Sequence, residues 1–509
     1  MTTTLDNDPV VASLAPFASL PDWLAAGMDA VGVGESLERH VAELAGGDLR
    51  LLSCSPDRLR AKGSEWLVRY TLSVAEPGEE ARDVVLVGKL WPPSRQLADA
   101  PGATTNGTRF GEAGWHCFLP EPRLELRVQT RDEALPALPL LVEPAAAAQL
   151  LQPMLRAAGY RDATITSCSP VVVRYKPGSR CTVVVGVTYA PDSSGAMPPS
   201  PVVLKTHQGD KGEAAWAAMN ALWERPLSWR GAVRLAEPLG YLPDERILVQ
   251  GPVPEERTLK ELARQAIAGR SPGMLDDLRE ELSRTARALA AVHGSGASYG
   301  RTATFEDELI EVTEVVDRLS RSVPGLDAAA RPLLSHLAEL ARDEHADPIV
   351  PAHHDFRPAQ VLLHQGAVGF IDFDGACMAE PALDVGRFRA KLRDIGISAL
   401  ALGRQPLPDG RVNENLSLLD ELCDGFLAAY LEHAAVSETR VLMWETCDLL
   451  TTMLHAWTKV RLARLEPRLT LLVHQLRTSG LLRNQVAAEA PGRAGRAGAG
   501  APPPAAPSG

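Results

Sequence analysis

Four carboxylates and one side-chain amide fall within about thirty residues of the chain. His353-His354-Asp355-Phe356-Arg357-Pro358-Ala359-Gln360 is followed by Gly369-Phe370-Ile371-Asp372-Phe373-Asp374 and then by Pro381-Ala382-Leu383-Asp384. Moving a phosphoryl group onto a hydroxyl needs a carboxylate that orients the nucleophile and accepts its proton. It also needs hard oxygen ligands for magnesium and a cation on the phosphates. Asp355 can be the first carboxylate. Asp372 ends the apolar run Val368-Gly369-Phe370-Ile371, which reads as a short strand, so it is held rigidly at a strand end. Gln360 lies on the same loop as Asp355 and offers a carbonyl oxygen as a second ligand. His-His-Asp is also a set of transition-metal ligand types. Adjacent loop residues rarely point at one ion, however, and no His-x-x-x-His partner is near.

Such groups must be positioned by the rest of the chain. From about Asp48 to Gln250 the sequence holds β-branched runs bounded by Gly, Pro and Asp, as in TVVVGVTY and VVLVGKLW. From Thr258 onward apolar residues recur at helical spacing, as in LDDLREELSRTARALAAVH. A sheet-rich part before a helical part gives an α+β fold class. The sheet-rich part repeats itself. Ser53-Cys54-Ser55-Pro56 with Arg60 and Lys62 matches Ser167-Cys168-Ser169-Pro170 with Arg174 and Lys176. VVLVGK ending at Lys89 matches VVLK ending at Lys205, and GEAGW from Gly111 matches GEAAW from Gly212. The same order in both copies implies a duplicated β-lobe. The expected layout is an irregular or helical segment over 1–47, a first β-lobe acting as a cap or regulatory module over 48–150, a second, nucleotide-binding β-lobe over 151–251, and a helical catalytic lobe over 252–484. The Ala/Gly/Pro-rich tail, 485–509, is expected to be disordered.

His-x-Asp, an amide five residues on, a strand ending in Asp-Phe, and Pro-x-x-Asp together resemble the aminoglycoside phosphotransferase family, which has the two-lobed protein-kinase-like fold. The resemblance covers about 162–482 and implies roles. Asp355 becomes the catalytic base and Asp372 the principal magnesium ligand. Asp384 becomes a buried acid bracing the catalytic loop, and His353 that loop's structural histidine. Gln360 stands where the family usually has Asn. It keeps the amide oxygen but adds a methylene, and in this and in the extra N-terminal lobe the chain resembles maltokinases. Asp374 follows Asp-Phe where protein kinases have Gly. It is either a further ligand or the mark of a subfamily.

The resemblance also places the nucleotide. Lys205, ending a strand, is the expected phosphate contact, and Glu213, opening the next helix, its expected partner. Gln250 and Gly251 stand where a hinge would bind an adenine edge through its backbone. Arg174-Tyr175-Lys176-Pro177-Gly178-Ser179-Arg180 is either the loop over the phosphates or an ordinary hairpin turn. Lys89 and Glu112 occupy the matching places in the first copy, which is expected to pack on the second. ATP is assigned to Lys205 because only the second copy runs directly into the hinge.

The net charge of −12 argues against nucleic acid as the main partner. No window suggests a membrane helix, and the first residues do not read as a secretion signal. Seven scattered cysteines without a C-x-x-C pair fit a reducing cytoplasm. Residues 251–484 carry about eight more acids than bases, which is compatible with a cationic acceptor. Three functions remain open: ATP- and Mg2+-dependent transfer to a hydroxyl of a sugar, aminoglycoside or other small molecule, a peptide Ser/Thr kinase of natural-product maturation, and a nucleotide-binding pseudokinase scaffold. Oligomeric state is not legible.

Overall fold

The computed structural model describes residues 13–479 apart from 19, 63–64, 97–107, 113, 130–131, 192–195, 228–230, 324 and 402–408. The tail expected to be disordered lies outside the described residues. Two five-stranded antiparallel sheets come first. One is built from β1 (Arg50–Lys62), β2 (Glu65–Ala75), β3 (Arg82–Leu90), β4 (His116–Leu119) and β5 (Leu124–Val128). The other uses β6 (Ile165–Lys176), β7 (Arg180–Tyr189), β8 (Val202–His207), β10 (Pro238–Leu242) and β11 (Ile247–Gln250), with the short β9 (Arg234–Leu235) leaving for another sheet. Their spatial orders, β1-β2-β3-β5-β4 and β6-β7-β8-β11-β10, are the same. Register shifts fall just before Ser53 in β1 and just before Ser167 in β6, the serines that open the repeated motif. An amphipathic helix precedes each sheet: α1 (Ala30–His40) and α2 (Pro144–Ala157). β2 and β7 alternate buried and half-buried residues, as strands covered on one face should.

The first sheet does not pack where it was expected. Its apolar core is continuous with that of the helical lobe, whereas the second sheet has a separate core around Leu151, Val183, Val185 and Leu204. Trp66 Nε1 of β2 donates to Ser322 Oγ at 3.3 Å, and Trp457 Nε1 donates to the carbonyl of Phe17 at 3.3 Å. Among the described residues the first lobe meets the β6–β7 hairpin of the second. There Asp132 Oδ2 accepts from the Tyr175 hydroxyl and from the backbone N–H of Gly178, each at 2.8 Å.

The helical lobe contains α4 (Leu259–Gly269), α5 (Pro272–His293), α6 (Phe305–Ser320), α7 (Leu326–Asp343), α8 (Ala382–Ala401), α9 (Asp409–Leu431), α10 (Glu438–Thr458) and α11 (Leu465–Thr478). Helices α8 and α10 form its centre. At their crossing a Cβ on Gly386 would stand 2.7 Å from the carbonyl of Val441, so only glycine permits the approach. The contact is polar. Glu445 of α10, fully buried, accepts from Nε of Arg389 at 2.7 Å and of Arg393 at 2.6 Å.

Candidate active site

The loop after β13 (Val350–Ala352) carries Asp355 and turns through Pro358–Gln360 into β14 (Val361–His364). β14 pairs with β15 (Ala367–Phe370) across the two-residue turn Gln365-Gly366, both at positive φ, as a tight hairpin demands. Ile371 and Asp372 follow directly, so the hairpin fixes the spacing between Asp355 and Asp372.

Asp384, at the start of α8, is wholly buried and holds this loop from below. It accepts from the backbone N–H of His353 at 2.6 Å and of His354 at 2.8 Å, and from His293 Nε2 at 3.2 Å. Burial alone would raise its carboxyl, but the His293 hydrogen bond and the neighbouring groups hold it below the usual range. His354 takes φ 71°, a strained value for a side chain with a Cβ. Arg387, buried one turn along α8, donates to its carbonyl. Burial and the Arg387 charge push the His354 imidazole down to about 3, so this ring stays neutral. His353 donates Nε2–H to the carbonyl of Ile371 at 2.9 Å, tying the Asp355 loop to the Asp372 segment.

Asp372 and Asp374 face the second sheet. Lys205 Nζ lies 3.3 Å from Asp372 and 3.7 Å from Asp374. Arg180, at the start of β7, lies 2.9 Å from Asp374 and 3.3 Å from Asp372, and His207 Nε2 lies 2.8 Å from Asp374. Burial would raise both carboxyls, but Lys205 and the other cations hold both below the usual range, Asp374 well below. Both acids therefore face this cluster as carboxylates.

Several expectations change here. Lys205 pairs with the two acids and not with Glu213, which is exposed in the first turn of α3 (Lys211–Trp223). In the first lobe Lys89 pairs with Glu65 on the adjacent strand, while Glu112 accepts from the backbone N–H of Arg109. Gln250 is buried in the sheet, paired with Val203 and Pro238. The N–H of Gly251 is committed to the carbonyl of Glu237 at 2.8 Å, so it offers no donor to an adenine edge. Gln360, 2% exposed, turns its oxygen toward Arg357 Nε at 2.7 Å and its nitrogen toward Asp355 (3.4 Å) and Asp372 (3.3 Å). In this arrangement it spaces the two carboxylates as a donor, and ligating a metal would require the amide to turn over.

His207 and Arg387 carried no role in the sequence, and Arg180 only that of one base in the segment read as either a phosphate loop or a hairpin turn. For His207 a signal existed: it is two residues after Lys205 on β8, hence on the same face. Arg387 carried none, because its role depends on how α8 crosses the loop.

Asp355, Arg180, His207, Asp372 and Asp374 line one cavity of about 1030 Å³ between the second sheet and the helical lobe. An inward lysine on a five-stranded sheet, a loop aspartate braced from beneath, and paired acids after a hairpin define a two-lobed, kinase-like phosphotransferase. A model of the phosphotransferase enzyme family matches residues 207–409. The matched stretch contains Asp355, Asp372 and Asp384 and begins two residues after Lys205. Similar solved structures include a choline/ethanolamine kinase family protein from Mesorhizobium loti, 14% identical over 67% of this chain and 98% of that one, TM-score 0.44. A glucosamine kinase is 17% identical over 91% of this chain and 99% of its own, TM-score 0.41. An amicoumacin kinase is 14% identical over 59% of this chain and 87% of its own, TM-score 0.39. No curated protein matches the sequence. No helix among the described residues is long and apolar enough to cross a membrane.

Proposed function

We propose that the chain transfers the γ-phosphoryl group of ATP to a hydroxyl of a small molecule. The observation that carries this is the meeting of Asp355 with the Asp372–Asp374 pair in one cavity, opposite Lys205 and Arg180. Asp355 is 43% exposed and free to receive an acceptor hydroxyl. It orients that oxygen and takes its proton as the new O–P bond forms and the bond to the β-phosphate oxygen breaks. Lys205 and Arg180 supply cations for the phosphate oxygens. Asp372 and Asp374 fit a magnesium ion: both are hard oxygen donors, and Asp374 Oδ1 is buried without a hydrogen-bond partner. Magnesium, when bound, supplies the charge that neutralises the phosphates.

The test is ADP release measured against aminoglycosides, maltose and other sugars, and Ser/Thr peptides. Stimulation by at least one small molecule is expected. Stimulation by peptides alone would move the activity to a peptide kinase, and no stimulation at all, with nucleotide still bound, to a non-catalytic binder. The two β-lobes separate in the same assay. Lys205→Ala is expected to weaken nucleotide binding and turnover at least tenfold, because Lys205 faces the acids. Lys89→Ala is expected to change turnover less than twofold, because Lys89 is engaged with Glu65 in the other sheet. The opposite pattern would mean that the nucleotide sits on the first lobe.

A further inference from the structure

The helical lobe is acidic in sum, yet one wall of the cavity is not. Lys176, at the end of β6, and Lys459, just past the end of α10, both line it. Lys176 feels the positive charges of Arg180, Arg174, Lys459 and Arg357, and Lys459 those of Arg461, Lys391, Arg468 and Arg357. Among the described residues neither lysine has an ion-pair partner, whereas other cations of the cavity do: Arg387 with Glu308 and Asp448, and Lys391 with Asp448. Arg357 joins this group to the reaction centre, since its Nη2 lies 3.0 Å from Asp355. Two acids lining the cavity have no ion pair among the described residues, Asp210 before α3 and Glu311 on α6, and both are exposed.

Three cations, Lys176, Arg357 and Lys459, thus line one cavity from three segments, the β6 strand end, the catalytic loop and the turn after α10. Like charges held together repel, and more strongly where water is partly excluded. Both lysines are half-buried, and burial together with the neighbouring cations pushes each down to about 8. An anion placed among them would relieve the repulsion and be held by charge-assisted hydrogen bonds. We infer that Lys176, Arg357 and Lys459 form an anion-binding subsite beside Asp355, and that the hydroxyl acceptor of this chain carries a phosphate or carboxylate group seated there. The inference rests on the phosphotransferase function proposed above and replaces the cationic acceptor that the net charge of the lobe suggested. An acceptor of this kind presents its hydroxyl to Asp355 while its anionic end is held a few bonds away.

A nucleotide's own terminal phosphate is the other source of such an anion, and calorimetry separates the two. Inorganic pyrophosphate is titrated into protein saturated with magnesium and a non-hydrolysable ATP analogue. Saturable one-to-one binding is expected, weakened at least tenfold by Lys459→Ala, restored by Lys459→Arg, and weakened between 0.05 and 0.3 M salt, on the order expected for screened surface charges. The analogue's own affinity should change less than threefold in Lys459→Ala. Should that variant fail to fold, Lys176→Gln, on a hairpin strand end, carries the same expectation. Pyrophosphate that fails to bind the analogue-saturated protein overturns the subsite. So does a Lys459→Ala variant that loses analogue affinity and keeps pyrophosphate, because the cluster then belongs to the nucleotide. If the analogue does not bind at all, the phosphotransferase function fails, and titration of pyrophosphate into the free protein still decides whether the anion site exists.

Discussion

Replacing Asp355 by Asn is expected to lower turnover a hundredfold or more while nucleotide affinity stays within about threefold. General-base contributions of this kind are typically about 10² to 10⁴ in rate. Asn keeps the size and one acceptor oxygen but cannot take the hydroxyl proton. Folding should survive, because Asp355 is 43% exposed and its partner Arg357 is 31% exposed, so neutralising the acid strands no buried charge. Equal losses in kcat and kcat/KM would place the effect in the transition state. Turnover within threefold of wild type would remove Asp355 from the chemistry, whatever its position in the cavity.

The largest stability effect is expected at Glu445. This carboxylate is fully buried and answers two guanidiniums that are themselves nearly buried, Arg389 and Arg393. Glu445→Gln removes their shared buried counter-charge and leaves Arg389 only the exposed Asp424 and Arg393 only the half-buried Asp420, and breaking a buried pair by removing one partner costs up to about 3–5 kcal/mol. Urea unfolding should show it as a lower midpoint at unchanged slope. Replacing all three residues by apolar ones of similar volume should cost much less than Gln alone, since no fully buried charge then remains, Asp424 being exposed and Asp420 keeping His474. The pH dependence has a definite sign. Burial would raise the Glu445 carboxyl, but Arg389 and Arg393 hold it below its usual range. Its contribution is therefore fully present above the unfolded value of about 4.3 and is lost as pH falls through the lower folded value. Glu445→Gln should flatten that acid limb. A loss under 1 kcal/mol would show that water or another group reaches the pair.

The repeat and the two kinds of secondary structure were legible because they rest on local patterns. β-branched runs mark β3 and β7, and three short motifs repeated in order identify sheets of the same strand order. The segment 353–384 was legible because its spacing is set by one tight hairpin, which leaves Asp355, Asp372 and Asp384 no freedom to separate. What failed were pairings between segments. Lys205 and Glu213 are close in sequence, but charge decides partners by field strength, and two buried carboxylates outbid one exposed glutamate. The docking of the first lobe was misplaced for a related reason. Its apolar face could have covered either neighbour, and only the assembled core shows that it joins the helical lobe. Arg387 and Glu445 read as ordinary helical charges until the Gly386 contact brings α8 and α10 together.

The Asp132 contact has a consequence beyond geometry. One carboxylate oxygen binds the first lobe to the hairpin at Tyr175 and Gly178, and the strand leaving that hairpin begins with Arg180, which reaches the paired acids. Thermodynamic linkage is reciprocal. Whatever free energy the first lobe lends to ordering the hairpin, a ligand that orders the hairpin must return to the first lobe. A first lobe that orders the hairpin changes the binding isotherm of a site it does not touch, even with its own lysine engaged elsewhere.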